Sequence, residues 1–151
     1  MEKCKLTDAD FTILIRLLKK VDFFSTMTLA QLGSFLQVIL VCSYKGGDIV
    51  FRQGDAGDAF YIIFEGKVAI RVKKGFFRSA ETVAAMGPGD FFGEMSLLND
   101  KPRTATAVCV EATKLFVLLR VDFDEALRQN PLLESSVKKM GARRKFISEH
   151  E

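Results

Sequence analysis

Phe91-Phe92-Gly93-Glu94-Met95-Ser96-Leu97-Leu98-Asn99-Asp100-Lys101-Pro102-Arg103-Thr104-Ala105-Thr106 is the stretch around which the rest of the chain arranges itself. Pro88-Gly89-Asp90 forms a turn ahead of it, and Gly93, having no Cβ, lets a ligand approach the main chain closely. Glu94 to Leu98 has helical propensity; a short helix there would aim its free N–H groups near Met95 and Ser96 outward, where an anion can sit. Pro102 pushes Lys101 toward an extended conformation, Arg103 follows, and Thr104-Ala105-Thr106 lead into a strand. A phosphate calls for a forked guanidinium and clustered N–H donors, whereas a ribose hydroxyl calls for a carboxylate acceptor. Gly93, Glu94 and Arg103 supply these groups if the loop between them folds back. On spacing alone, a structural Glu–Arg ion pair accounts for the same residues.

Working outward, the segment from Gln37 to Leu119 reads as strands and turns. Candidate strands are Val38–Tyr44, Ile49–Arg52, Phe60–Phe64, Lys67–Lys73, Glu81–Met86, Thr106–Val110 and Leu115–Leu119. They are short, rich in β-branched and aromatic residues, and punctuated by turn signals, which favours a sandwich or barrel. Glu65-Gly66 reads as a tight hairpin. Gly47-Asp48, Gly54-Asp55, Gly57-Asp58 and Gly89-Asp90 each fall between strands, where glycine can take positive φ and aspartate can bond nearby backbone. Before this region, Thr7-x-x-Asp10 resembles a capping box, and Phe11, Leu14, Ile15 and Leu18 share one helical face. Thr28 and Gln31 cap a second helix running to about Leu36. After the β region, Asp122-x-x-Glu125 reads as a third cap, for a helix ending at Asn130. Asn130 and Pro131 then open a final helix with Leu133, Val137, Met140 and Ile147 along one stripe.

Composition narrows the function. A chain of 151 residues, 48% apolar and 27% charged, is sized for one globular domain. A net charge of +3 is too mild to imply nucleic acid. Its apolar runs fall far short of the roughly 20 residues that span a bilayer. Cys4, Cys42 and Cys109 are odd in number and widely spaced, which argues against a disulfide framework or zinc site and suits a reducing, cytoplasmic setting. The acids lack the density of a calcium loop, so no metal is expected. His150 is the sole histidine and lies at the tail, so no Ser–His or Cys–His pair can be built without it. The expectation is a protein with no catalytic residues.

Phe92-Gly93-Glu94-Met95-Ser96-Leu97-Leu98, five spacer residues, and then Arg103-Thr104-Ala105-Thr106 resembles the phosphate-binding cassette of cyclic nucleotide-binding domains. Gly47-Asp48-Ile49-Val50-Phe51-Arg52-Gln53-Gly54-Asp55 and Tyr61-Ile62-Ile63-Phe64-Glu65-Gly66-Lys67-Val68 are similar to that family's glycine-punctuated strands. The resemblance runs from about Leu18 to the final helix. It implies one domain: N-terminal helices over 1–36, an eight-stranded antiparallel, jelly-roll-like β-roll over 37–120 with the cassette at 92–106, and two C-terminal helices over 121–151. The implied ligand is cAMP or cGMP, with no other cofactor. Glu94 would then bond the ribose 2′-hydroxyl and Arg103 the cyclic phosphate, with main-chain amides at Gly93, Met95, Ser96 and the Thr104–Ala105 step completing the cradle. Thr104 permits cGMP without excluding cAMP.

The last helix is the implied lid, with Met140, Arg143, Arg144 and Phe146 as candidates to reach the purine. Each reads equally as a residue packed on the roll or against a second subunit. The chain carries no effector segment, so output would run through a partner in trans, a missing domain or a homodimer. Arg143-Arg144-Lys145 reads as a solvated or docking face rather than a DNA reader. The alternative is a degenerate, non-binding interaction or dimerisation module, against which the intact Glu94 and Arg103 argue.

Overall fold

The computed structural model of the chain describes residues 2–4, 6–75, 79–97, 99, 101–135 and 137–139. At the N-terminus, α1 (Asp8–Leu18) begins at Thr7, whose hydroxyl accepts from the Asp10 amide while the Asp10 carboxylate accepts from the Thr7 amide. The same reciprocal cap at Thr28 and Gln31 starts α3 (Leu29–Leu36). Between them lies α2 (Asp22–Ser25), a single turn with no side-chain cap and no signal in the sequence reading.

Nine strands follow from the described residues: β1 (Glu2–Cys4), β2 (Leu40–Tyr44), β3 (Ile49–Phe51), β4 (Ala59–Glu65), β5 (Val68–Val72), β6 (Glu81–Met86), β7 (Phe91–Phe92), β8 (Thr106–Cys109) and β9 (Thr113–Leu119). They form a five-stranded sheet ordered β1-β2-β9-β4-β7 and a four-stranded sheet ordered β3-β8-β5-β6. Every pairing is antiparallel. The eight strands of the expected roll are β2–β9. The addition is β1, which pairs Glu2 with Ser43 and extends the first sheet.

Strands β4 and β9 are buried on both faces and so divide two cores. Phe60, Ile62, Phe116 and Leu118 pack toward the helices with Leu14, Phe24, Phe35 and Phe123. Phe24 meets Phe35 and Phe60 at centroid distances of 5.5 and 5.9 Å, and Phe35 stacks on Phe123 at 5.3 Å. Ala59, Tyr61, Ile63, Leu115 and Val117 point the other way, into the roll with Phe92, Ala107 and Cys109. The alternation of a period-two strand thus serves both cores.

Three of the four Gly-Asp pairs build one identical turn. Asp48, Asp55 and Asp90 each accept, through Oδ2, from the amide three residues back, at 2.8, 2.9 and 2.9 Å. Each returns its own N–H to that same residue's carbonyl at 3.0 Å. The preceding glycines have φ of +92, +92 and +89°, where a Cβ is costly. Gly57-Asp58 is different: its φ is not positive, and the Asp58 carbonyl accepts from Arg120 N–H at 2.8 Å. Beside the second turn, the Gln53 side chain donates to the Lys73 carbonyl and accepts from the Lys73 amide, at 3.1 and 2.9 Å. It ties the end of β3 to the end of β5.

The expected cap at Asp122 is corrected. Helix α4 (Arg120–Arg128) starts three residues earlier, directly from β9 with Leu119 as an N-cap that makes no side-chain bond, and Asp122 lies inside its first turn. The Asp58 carbonyl takes the first helical amide instead. Asn130 does cap the next helical residues, 131–135 and 137–139, its Oδ1 accepting from Leu133 N–H at 3.3 Å. Leu133 and Val137 are buried against the helical core. The lid candidates Met140, Arg143, Arg144 and Phe146 lie outside the described residues. No helix among the described residues is long and apolar enough to cross a membrane.

Candidate functional site

The cassette hangs from β4. Phe92 pairs with Tyr61 in register and stacks on its ring at 5.1 Å, which fixes where Gly93 begins. Gly93 has a φ of +80°, a region that turns the chain sharply out of β7. Glu94–Leu97 then forms the short helix expected, as a 3-10 turn closed by the Ser96 amide donating to the Gly93 carbonyl at 3.1 Å. That amide is engaged within the turn, and the Ser96 hydroxyl is what faces the arginine. The chain returns through Arg103, whose main chain is bracketed by the second Gly-Asp turn. Gly54 N–H donates to the Arg103 carbonyl at 2.8 Å, and Arg103 N–H donates to the Asp55 carbonyl at 2.7 Å.

Arg103 is 7% exposed. Its Nη1 donates to Ser96 Oγ, and its Nη2 donates to the Ala59 carbonyl at 2.7 Å. The guanidinium lies over the Phe51 ring, with Cζ 4.1 Å from the centroid, and 5.8 Å from that of Tyr61. Both of these acceptors are neutral. The carboxylate it pairs with among the described residues, Asp58, stands 3.9 Å away with its side chain 79% exposed, a weak solvent-screened partner. Among the described residues, Arg103 Nε is buried with no hydrogen-bond partner. Burial pulls the guanidinium below its ordinary value, against Tyr61, Asp58 and Asp55, which pull it up. The Tyr61 phenol is pushed up to about 12, chiefly by burial, with Arg103 acting against the rise. A buried donor left unmade costs about 1–3 kcal/mol, so the orphan N–H of this cation would gain from a further acceptor.

Around it opens a cavity of about 440 Å³. Gly93, Glu94, Ser96, Arg103, Thr104 and Ala105 line it, so the structure brings together six of the seven residues expected from the cassette. Met95 lies in the same 3-10 turn, and its side chain is outside what is described. Phe51, Ile70, Met86 and Phe92 supply the apolar wall. The absence of a Cβ at Gly93 also leaves room for the arginine. A Cβ there would stand 2.7 Å from Arg103 Nη1 and 3.2 Å from the Ala59 carbonyl, so the arginine itself occupies the space. No group of three or more His, Cys, Asp or Glu among the described residues is placed to hold a metal.

The sequence reading missed Phe51, Ala59 and Tyr61 as neighbours of the arginine. Phe51 lies within a stretch already notable for its glycines, but nothing local signals contact with a residue 52 positions later. The Ala59 contribution is a main-chain carbonyl, for which sequence carries no mark.

The sequence model described as "Cyclic nucleotide-binding domain" matches residues 41–130, more than half of the chain. The chain is similar to a cyclic AMP receptor protein of Thermus thermophilus, 42% identical over 102 residues, covering 67% of this chain and 46% of that protein. It is similar to a cAMP-dependent protein kinase regulatory subunit of Dictyostelium discoideum, 33% identical, covering 86% of this chain and 40% of that protein. The chain therefore spans less than half the length of either. Among solved structures, the regulatory domain of Toxoplasma gondii PKA, crystallised with cAMP, superposes with a TM-score of 0.72 at 26% identity, covering 93% of this chain and 52% of that one.

Proposed function

The chain belongs to the cyclic nucleotide-binding domain family, and from that membership we propose that it is a sensor for cAMP or cGMP that regulates an effector. The observation that carries this reading is Arg103: buried, bonded to neutral acceptors, with Nε unpartnered, on the wall of a cavity of about 440 Å³. A single negative charge with several acceptor oxygens, such as a cyclic phosphate, answers that arrangement. The volume is in the range of small-molecule pockets, roughly 300–1,000 Å³.

In this reading Arg103 grips the cyclic phosphate, and Glu94, on the same cavity wall, accepts from the ribose 2′-hydroxyl. Main-chain groups of Gly93, Met95, Ser96, Thr104 and Ala105 complete the cradle, and Phe51, Ile70 and Met86 offer the apolar surface a purine needs. Thr104 suits cGMP without excluding cAMP. The final helix closes over the base, with Met140, Arg143, Arg144 or Phe146 reaching it. Closure follows ligand only because the closed state binds it better. The effector is a partner in trans, a further domain or a second copy of the chain.

Calorimetry with cAMP and with cGMP tests the reading. Saturable heat with at least one nucleotide, lost in Arg103→Ala, is expected. Absence of heat with both would leave the non-binding interaction module.

A further inference from the structure

Six glycines, at 47, 54, 66, 75, 89 and 93, have positive φ, where the backbone itself demands glycine; Gly57 does not. Its φ lies outside the left-handed region, so an ordinary residue would suit the backbone. What excludes one is space: a Cβ at 57 would stand 2.7 Å from Ser96 Oγ, 3.1 Å from Ser96 Cβ and 3.4 Å from the Lys101 carbonyl. The first of these atoms is the one that accepts from Arg103 Nη1. Ser96 is itself 5% exposed, so its hydroxyl cannot swing into water to escape.

We propose that Gly57 and Ser96 are positioning residues for Arg103, Gly57 leaving room for the Ser96 hydroxyl and that hydroxyl fixing one arm of the guanidinium fork. This rests on the reading of Arg103 as the phosphate-gripping residue. The Ala59 carbonyl holds the other arm at 2.7 Å, and Phe51 supports the face at 4.1 Å. With both arms and one face held, the fork keeps one orientation before ligand arrives, and the freedom of a long side chain is already lost. Nε–H is left for the incoming anion. Removing the hydroxyl frees one arm. Adding a Cβ at 57 displaces the hydroxyl and misdirects the same arm.

The test uses the full chain as Ser96→Ala, Gly57→Ala and the double variant, with cAMP and cGMP as probes. Calorimetry should show Ser96→Ala weakening binding about three- to tenfold, because the guanidinium is no longer held in one orientation before ligand arrives. Gly57→Ala should weaken it at least as much in the wild-type background and distinctly less in the Ser96→Ala background, because both act through one atom. Additive losses would assign Gly57 to packing and overturn the coupling. The second readout needs no nucleotide: side-chain ¹⁵N spectra should resolve the two Arg103 Nη groups in the wild type and merge them in Ser96→Ala. Unchanged Arg103 signals with unchanged affinity in Ser96→Ala would overturn the proposal, even if Gly57→Ala failed to fold. Should the wild type bind neither nucleotide, the sensor reading falls, while the Nη spectra still decide whether Ser96 orients Arg103.

Discussion

The guanidinium of Arg103 lies face-on to the ring of Phe51, Cζ to centroid 4.1 Å. A cation shielded from water beside a ring face gains about 0.5–2 kcal/mol from the quadrupole, and this partly offsets its desolvation. The same ring touches Tyr61 and Phe92 at 5.8 Å each, so three aromatics from three strands converge under one charge. Phe51→Leu keeps the apolar volume and removes the quadrupole. Nucleotide affinity should fall about two- to thirtyfold with little change in thermal midpoint, as read by titration and melting of the same sample. Unchanged affinity would reduce Phe51 to a cavity wall.

Arg103→Lys tests the fork itself. Lysine keeps the charge but cannot bond Ser96 Oγ and the Ala59 carbonyl together while presenting a third donor. A charge-assisted bond contributes about 1.5–3 kcal/mol, so the substitution should weaken nucleotide binding about ten- to 150-fold. Arg103→Ala should lose at least as much. Wild-type affinity in Arg103→Lys would mean that charge alone suffices.

Three glycine-to-alanine variants should separate strain from crowding. At Gly47, φ is +92° and nothing lies within 4 Å of a built Cβ, so only backbone strain of about 1–2 kcal/mol is expected. At Gly93, strain combines with displacement of the Arg103 Nη1 group, 2.7 Å from the Cβ. Stability and ligand affinity should both drop. At Gly66, φ is +100° and the Cβ would overlap Thr113 and the Ala112 carbonyl, main chain that cannot swing aside. Thermal denaturation should rank the midpoints Gly47→Ala highest and Gly66→Ala lowest; the reverse order would contradict the described turns.

Alkaline stability should depend on Tyr61. Burial raises its phenol from an ordinary value of 10.0 to about 12 in the folded chain. The folded state therefore holds that proton where the unfolded state has lost it. The associated stability is fully present below pH 10 and disappears as pH climbs from 10 to about 12. Burial raises Tyr44 and the Cys109 thiol as well, which adds to the decline. Urea unfolding between pH 9 and 12 should show a shallower loss in Tyr61→Phe than in the wild type. Parallel curves would mean that Tyr61 stays protonated, or titrates equally, in both states.

Where the cause is local, the sequence anticipates the structure well. Thr7 with Asp10 and Thr28 with Gln31 carry both halves of a reciprocal cap within four residues, and both caps form. The aspartates of three Gly-Asp pairs close their turns over a span of three residues. Elements imposed from a distance escape such reading. The strand β1 exists through pairing with β2, nearly forty residues on. Helix α4 takes its first acceptor from Asp58, so the Asp122 motif, though a fair cap by composition, is overtaken three residues upstream. The site divides the same way. Six cassette residues gather on one wall because they are near in sequence, while the arm of Arg103 is held by Ala59, 44 residues away.

Strand β4 gives the domain a strict requirement on chain length. Ala59 and Tyr61 belong to the interior that holds the arginine, while Phe60 and Ile62, one step along, belong to the core under the helices. A single inserted or deleted residue within 59–63 would exchange these sets, sending the Tyr61 phenol among the helices and Phe60 beneath the guanidinium. Point substitutions along β4 alter one core at a time; an indel would damage both cores and the cavity beside Arg103 together. Related sequences should accordingly resist length changes between Ala59 and Ile63.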